Sequence, residues 1–215
     1  MASRQREISG AVCGVAVRGR LPEAFRPYLR PLPDDHGDRG TSLELGYRTV
    51  RELPEVDELW VSEPRGPWDA TEGRFALFRE PEGFGLAVSA AGHGIYRCRE
   101  TSIRMEWASE PAAAAHHLFT HALPLWLETR GVPVLHGSAV AVEGLAVGLL
   151  GPSGCGKSVL AAELARSGGE ASLLADDGLA LSRSRGGGWR CLPGPPIVRL
   201  WPTGLDRLGV AADGL

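Results

Sequence analysis

Residues 151–158 read GPSGCGKS and fit the phosphate-binding pattern G-x-x-x-x-G-K-[ST]. Before this stretch, Leu145–Leu150 (LAVGLL) is a short apolar run that predicts a buried β-strand. After it, residues 159–166 (VLAAELAR) are rich in helix formers and end at a Ser-Gly-Gly stop over 167–169. A strand, a glycine-rich turn and a helix in this order predict a loop that binds phosphate.

The backbone N–H groups of such a loop point inward around an anion, and the positive end of the helix dipole lies behind them. We expect Lys157 to reach the β- and γ-phosphates of a nucleoside triphosphate and the Ser158 hydroxyl to bind Mg²⁺. The predicted cofactors are ATP and Mg²⁺, although the pattern does not distinguish ATP from GTP. The residues predicted to contact the nucleotide in this loop are Gly151, Pro152, Ser153, Gly154, Cys155, Gly156, Lys157 and Ser158.

The composition argues against several classes of protein. A formal net charge of -3 over 215 residues leaves no basic excess for a nucleic-acid backbone. The 4 cysteines are widely spaced, so we expect neither a zinc ribbon nor a disulfide framework. No stretch reaches about 18 uncharged apolar residues, and residues 1–10 lack the apolar segment of a signal peptide. We therefore predict a cytoplasmic protein that binds neither nucleic acid nor membrane.

The residue composition and patterning divide the chain into three parts. Residues 1–108 contain short apolar runs separated by turn-rich pieces and predict a β-rich N-terminal module. Within it, the alternation in 74–80 (RFALFRE) and 94–100 (GIYRCRE) predicts a sheet with one face in water. Residues 109–131 predict a connecting helix, and residues 132–215 predict an α/β core that carries the phosphate loop.

The connecting helix is expected over about 112–129, with a kink at Pro124. Its His117 and His121 stand four residues apart, a spacing that metal ligands on one helix face use. No Glu joins them in an H-E-x-x-H arrangement, and the sequence shows no third ligand. We therefore favour ordinary polar positions on a helix over a zinc site.

Two adjacent acidic residues interrupt the apolar stretch 173–181 (LLADDGLAL). Carboxylates inside such a run are costly unless they have partners such as Mg²⁺, a hydroxyl group or an arginine. We expect Asp176 and Asp177 at the carboxyl end of a strand beside the phosphate loop, where ligands of open α/β sheets bind. Because successive strand residues point to opposite faces, one aspartate should face the γ-phosphate and the other should be a structural partner.

The order of these motifs resembles the HPr kinase/phosphorylase family. In that family a strand with His-Gly precedes a hairpin, the phosphate loop, a helix and then Ala-Asp-Asp. Here His136-Gly137, residues 151–158 and residues 175–177 follow one another in that order. ABC-transporter ATPases have a similar loop sequence, but the spacing between their motifs is far longer than in this chain.

The segments that flank these motifs look closer still to the HPr-kinase-like enzymes of lasso-peptide biosynthesis clusters. The similar segments are LPLWLETRGVPVLHGSAV at 123–140 and PGPPIVRLWP at 193–202. The resemblance thus covers about 123–202, and PEP carboxykinase shares the loop region more distantly. It implies an α/β P-loop core preceded by a variable, β-rich N-terminal module.

The resemblance also implies a role for each motif residue. Asp176 would be the base that accepts a hydroxyl proton and Asp177 the metal-side or structural partner, or the two roles are reversed. His136 would lie near the γ-phosphate or metal, unless it is a surface histidine at a strand end. Arg199 would contact phosphate or substrate, unless it is an ordinary surface arginine. The catalytic candidates are thus His136, Lys157, Asp176 and Asp177, and the metal ligands are Ser158 and Asp177.

The implied reaction transfers the γ-phosphoryl group of ATP to a serine hydroxyl of a peptide or protein. Val159 stands where true HPr kinases usually have Glu, which argues against HPr itself as the acceptor. The family extends for several tens of residues beyond its PGPP…RLWP element, so we expect the core over 132–215 to be C-terminally shortened, with low activity. The expected partners are a nucleoside triphosphate and a Ser-containing peptide or protein, and a homo-oligomer is left open. The alternative is a nucleotide-binding regulatory protein of the same family without turnover.

Overall fold

The computed structural model describes residues 4–32, 41–62, 73–89, 92–167, 171–184 and 186–210, and the predicted glycine stop at 168–169 lies outside them. The chain forms two compact units, one of residues 1–11 and 15–126 and the other of residues 12–14 and 127–215. The fold is mixed α and β, with 14 strands and 4 short α-helices among the described residues. It is richer in β-structure than the predicted α/β class, because 8 of those strands form one large sheet.

The first unit contains this eight-stranded sheet, whose strand order is β1-β2-β3-β8-β7-β6-β5-β4. The pairs β2–β3 and β3–β8 are parallel, whereas the pairs from β4 to β8 along the sheet are antiparallel. The strands are β1 Gln5–Val12, β2 Val15–Pro22, β3 Ser42–Thr49, β4 Glu58–Val61, β5 Arg74–Glu80, β6 Gly83–Ser89, β7 His93–Arg99 and β8 Ser102–Trp107.

The predicted alternation holds only in the middle of β5 and fails in β7. In β5, Ala76 and Phe78 are buried and Leu77 between them is half-buried, but Arg74 is exposed although it lies on the same face as Ala76 and Phe78. In β7, the adjacent residues Ile95 and Tyr96 are both buried, so this central strand is covered on both faces. An alternation of residue types therefore predicted the strand, but not the burial of its second face.

Glycines lie opposite large aromatic side chains in this sheet. Gly85 is the cross-strand partner of Phe78, and Gly94 is the partner of Trp107. A Cβ at Gly94 would lie 1.7 Å from the Trp107 ring, and one at Gly85 would lie 1.9 Å from the Phe78 ring. Both rings are buried, so each fills the space that its glycine partner leaves open.

The predicted connecting helix is present as one continuous helical segment with an irregular middle. It consists of α1 Pro111–His117, a π-helical turn Leu118–Ala122 and α2 Leu123–Glu128. Pro124 has no N–H to donate to the preceding turn, and the widened turn lies directly before it, where the sequence predicted a kink. The division between the two units falls inside α2, after Trp126.

The second unit contains two three-stranded sheets, with strand orders β11-β10-β12 and β14-β13-β9. Every pairing in these two sheets is antiparallel. The α3 helix follows β11 and packs on β10 and β12. The elements are β9 Val134–Leu135, β10 Gly137–Val142, β11 Leu145–Leu150, α3 Lys157–Arg166, β12 Ser172–Ala175, β13 Leu179–Arg183, β14 Trp189–Leu192 and α4 Pro202–Leu208.

The strand that leads into the glycine-rich loop has the predicted bounds, but the prediction that it is buried is wrong. Leu145 is 73% and Leu150 is 59% exposed. The reason is that, among the described strands, β11 lies at the edge of its sheet and has β10 as its single neighbour. An apolar run therefore identified the strand without revealing its position in the sheet.

The α4 helix was not predicted, although the sequence carries signals for it. Pro202 occupies its first turn, and Gly209 directly after its end is left-handed, with φ 62°. None of the described helices is long and apolar enough to cross a membrane.

Candidate functional site

The glycine-rich loop joins an edge strand to a helix. The β10–β11 hairpin closes through Glu143 and Gly144, both left-handed, as a two-residue turn between twisted strands requires. Beyond β11, Gly154 (φ 79°) and Gly156 (φ 94°) are also left-handed, a conformation that strains most other residues. The α3 helix then begins at Lys157, and its first N–H groups have no acceptor within the helix. The loop and the start of the helix therefore present N–H groups suited to an anion.

Lys157 folds back along the loop. Its Nζ donates hydrogen bonds to the carbonyl oxygens of Gly151 at 3.0 Å and Pro152 at 2.9 Å. These contacts place the ammonium group over the loop, where a bound phosphate would exchange neutral carbonyl acceptors for charged oxygens. Charge-assisted hydrogen bonds are about twice as strong as neutral ones, so this exchange favours phosphate.

Asp176 is a buried anchor at the end of β12, only 7% exposed. The Ser138 hydroxyl donates to its Oδ1 at 2.6 Å, and the backbone N–H of Arg199 donates to its Oδ2 at 3.1 Å. Both carboxylate oxygens therefore accept hydrogen bonds from the protein. Asp176 ties β10 and the segment before α4 to the end of β12.

Asp177 has different surroundings. It is a non-glycine residue in the left-handed region, with φ 63°, which Asp tolerates better than most residues. Its side chain lines the cleft described below. Burial raises the pKa of Asp177, as does the neighbouring charge of Asp176, against opposing effects of Arg199, His136 and Lys157. A carboxylate that is held in a strained backbone and is easier to protonate than usual is typical of functional sites.

His136 is oriented by the backbone of Asp177. Its Nδ1 lies 3.1 Å from the carbonyl oxygen of Asp177. Because a carbonyl oxygen can only accept, Nδ1 carries a proton in this contact. The Nε2 atom is then the nitrogen left for chemistry or for ligand binding.

A cleft of about 210 Å³ brings these side chains together within the second unit. The elements around it are the start of β10, the glycine-rich loop, the first turn of α3 and α4. Gly151, Pro152 and Cys155 belong to the loop without lining the cleft, and neither does Asp176. The predicted residues that line it are His136, Ser153, Gly154, Gly156, Lys157, Ser158, Asp177 and Arg199.

Sequence reasoning missed several residues of this site. Among them, Ser138 lines the cleft and bonds Asp176, and Trp201, Thr203 and Arg207 line the cleft from the chain around α4. Residues 201–209 carry a proline start and a glycine stop, which predict a short helix. Such a helix would place the last three residues near one another. The contact of Ser138 with Asp176 joins positions 38 residues apart, and no local pattern predicts it.

The oxygen atoms of the cleft fit Mg²⁺ better than zinc. Ser158 supplies a hydroxyl and Asp177 a carboxylate, and Mg²⁺ is usually bound by one or two carboxylates together with substrate phosphates and water. Among the described residues, no group of three or more His, Cys, Asp or Glu side chains is arranged to hold a metal ion. His117 and His121 approach each other through their Nδ1 atoms at 3.5 Å, in the first unit. A cation at the cleft would therefore depend on oxygen atoms supplied by the phosphates.

No protein-family model, no curated protein and no solved structure matches the chain. The functional interpretation of the cleft therefore rests on its geometry and on the order of the motifs.

Proposed function

We propose that the second unit binds a nucleoside triphosphate with Mg²⁺ and transfers its γ-phosphoryl group to a serine hydroxyl, as an HPr-kinase-like P-loop enzyme. The observation that carries the proposal is the cleft, which Lys157 and Ser158 at the start of α3 line together with Asp177. This combination supplies a cation for the phosphates, a hydroxyl for the metal and a carboxylate for the incoming nucleophile.

The presence of lysine at position 157 supports the same function. The chain has 23 basic residues, of which Lys157 is the only lysine and the other 22 are arginines. A compact ammonium group fits beside phosphates inside a tight loop, whereas a planar guanidinium is larger and has a fixed shape. A chain that otherwise uses arginine throughout therefore keeps lysine at the one position where phosphate binding needs it.

We assign the base to Asp177 and the structural role to Asp176, the reverse of the first assignment made from the resemblance. Asp177 lines the cleft, while both carboxylate oxygens of Asp176 accept hydrogen bonds from the protein. The raised pKa of Asp177 suits a group that takes up a proton during the reaction. The carbonyl oxygen of Asp177 accepts a hydrogen bond from His136 Nδ1, which holds the imidazole beside this carboxylate.

The reaction then proceeds by displacement at the γ-phosphorus. The serine oxygen forms a bond to that phosphorus, and its proton passes to the Asp177 carboxylate. The bond from the γ-phosphorus to the oxygen that bridges it to the β-phosphorus breaks, and ADP leaves. Lys157 and the N–H groups of the loop hold the phosphate oxygens, and Mg²⁺, when bound through Ser158, neutralises part of their charge.

The single lysine permits a direct test of nucleotide binding. An ATP analogue with a reactive acyl group on its γ-phosphate should acylate Lys157, the only lysine side chain in the protein. Peptide mass spectrometry should locate the adduct at position 157, and excess ATP with Mg²⁺ should prevent it. A matched acyl phosphate without the nucleotide should react much more slowly.

Calorimetric titration of Lys157→Ala provides the second arm of this test. The variant should bind ATP with Mg²⁺ at least about ten-fold more weakly than the wild-type protein, because a charge-assisted contact contributes about 1.5–3 kcal/mol. Equal ATP affinity in the two proteins, together with acylation that ATP does not prevent, would contradict the proposed function.

A further inference from the structure

The cleft is smaller than the pockets that usually enclose a small ligand. Pockets that enclose small ligands usually measure about 300–1,000 Å³, whereas this one measures about 210 Å³. Its polar residues near Lys157 and Ser158 suit the phosphate end of the ligand. If phosphates occupy that space, the nucleobase must lie beyond the mouth of the cleft, against whatever surface the protein offers there.

Trp201 offers an aromatic surface at that mouth. Its side chain is 72% exposed, yet it contributes to the lining of the same cleft as Ser153 and Lys157. A large apolar ring kept in water beside a polar cleft loses the stabilisation that burial would give it. A ring in this position is suited to a planar ligand that stacks on it.

The backbone around Trp201 is held firmly. Its carbonyl oxygen accepts hydrogen bonds from the N–H groups of Gly204 at 2.7 Å and Leu205 at 3.1 Å. Gly204 packs so closely on α3 that an added Cβ would lie 3.0 Å from Val159 Cγ2. Arg166 on α3 donates to the carbonyl oxygen of Leu208 at 3.2 Å, which fixes the other end of α4. The backbone that carries the ring is therefore held against α3, the helix that follows the loop.

We propose that the indole of Trp201 stacks on the nucleobase of the bound triphosphate and so forms a base subsite outside the phosphate cleft. The inference rests on the proposed function, because it takes the phosphates to lie at Lys157. Stacking uses the π-face of any base and grows with its area, so the subsite favours purine over pyrimidine nucleotides and does not separate ATP from GTP.

The test compares ligands that share the phosphates but differ in the base. Calorimetry would measure the binding of ATP, CTP and inorganic tripolyphosphate, each with Mg²⁺, to the wild-type protein and to Trp201→Ala and Trp201→Phe. Trp201→Ala should weaken ATP binding about 5- to 150-fold and leave tripolyphosphate binding unchanged, and Trp201→Phe should recover most of the lost affinity. The Trp201 side chain makes no hydrogen bond that caps α4, so the alanine variant removes no cap.

Trp189 provides the matched control. It is 55% exposed in the same unit but does not line the cleft, so Trp189→Ala should bind all three ligands like the wild-type protein. An unchanged ATP affinity in Trp201→Ala, or an equal loss for ATP and tripolyphosphate, would overturn the base subsite while leaving the phosphate site standing. Failure of the wild-type protein to bind either ATP or tripolyphosphate would overturn the proposed function and the subsite with it.

Discussion

Asp176 and Asp177 are adjacent in the sequence, and their hydrogen bonds lead to opposite expectations for the same substitution. An asparagine at position 176 would turn an NH₂ group towards a position that now receives the Ser138 hydroxyl or the Arg199 N–H. We predict that Asp176→Asn lowers the free energy of unfolding by about 1–3 kcal/mol, the usual cost of leaving a buried polar group unsatisfied. Urea unfolding followed by circular dichroism measures this loss.

Asp177→Asn should have the complementary effect. The variant should fold and still bind ATP with Mg²⁺ through the loop, Lys157 and Ser158, and an asparagine side-chain oxygen can replace the carboxylate oxygen towards the metal. Phosphoryl transfer should nevertheless fall by about 10²–10⁴-fold, because an amide cannot accept the serine proton. Transfer that survives in Asp177→Asn but is lost in a folded Asp176→Asn protein would show that the first assignment of the two roles was correct.

The pKa of Asp177 gives a prediction for pH dependence. Burial, followed by the charge of Asp176, raises this pKa. Compared with the unfolded chain, the folded protein therefore favours the protonated form of this carboxyl group. The stabilisation that the protonated Asp177 carboxyl group contributes is fully present below the unfolded pKa of about 3.9. It is lost as the pH rises through the folded pKa. At pH 7 the ionised group thus lowers the stability of the ligand-free protein.

We predict that Asp177→Asn raises the Tm of the ligand-free protein at pH 7, and that this gain shrinks as the pH is lowered towards about 3. Thermal unfolding at a series of pH values measures the effect. Asp206→Asn, at an exposed position on α4, controls for the loss of one negative charge elsewhere in the same unit. A gain that is the same at every pH would contradict the assigned cause.

The sequence identified many of the residues that line the cleft, because a glycine-rich loop between a strand and a helix is a local arrangement. Lys157, Ser158 and the glycines lie within eight residues, and strand and helix signals flank them. It also predicted unequal roles for the two aspartates. It could not assign those roles, since they depend on the left-handed backbone of Asp177 and on contacts from Ser138 and Arg199 across the fold.

Individual strands were predicted better than their positions in the sheets. The bounds of β5 and β11 agree with the predicted segments 74–80 and 145–150, because the residue patterns that mark them are local. The exposure of β11 was not predicted, since it depends on which strand pairs with it. The parallel placement of β3 between β2 and β8 also joins distant segments, and no pattern inside a strand specifies such a partner.

The pairing of glycine with aromatic residues in the large sheet gives a prediction at the level of the strand. Gly94→Ala would place a methyl group inside the volume of the buried Trp107 ring, so the strand or the ring must move. Overpacking of a core typically costs about 1–3 kcal/mol. We expect Gly94→Ala to lower the free energy of unfolding by at least about 1 kcal/mol, as measured by denaturant titration.

Gly46 is the matched control, since it is also a strand glycine of the same sheet. A Cβ there would meet only the flexible Arg104 side chain, at an ordinary 3.5 Å. Gly46→Ala should therefore change the free energy of unfolding by less than about 0.5 kcal/mol. Equal costs for the two substitutions would show that the Trp107 ring does not depend on the glycine opposite it.

At the scale of the molecule, the sequence predicted a β-rich N-terminal module, a connecting helix and a core that carries the loop, whereas the structure has two compact units. The change in composition near residue 109 is a local property of the sequence, so the sequence alone reveals it. The division after Trp126 instead follows from contacts between distant residues. All the residues of the proposed site lie in the second unit, so its chemistry can be tested by substitutions there.

The central claim concerns the whole reaction: the chain moves a phosphoryl group from ATP to a serine. The most direct measurement incubates the protein with γ-labelled ATP, Mg²⁺ and a flexible peptide that ends in serine, alongside the same peptide with alanine in its place. We predict label on the serine peptide only, little free phosphate without peptide, and loss of the label with Asp177→Asn but not with Trp189→Ala. Rapid release of free phosphate without peptide, or ATP binding with no label on any peptide, would contradict the kinase, and the second result would favour a regulatory protein without turnover.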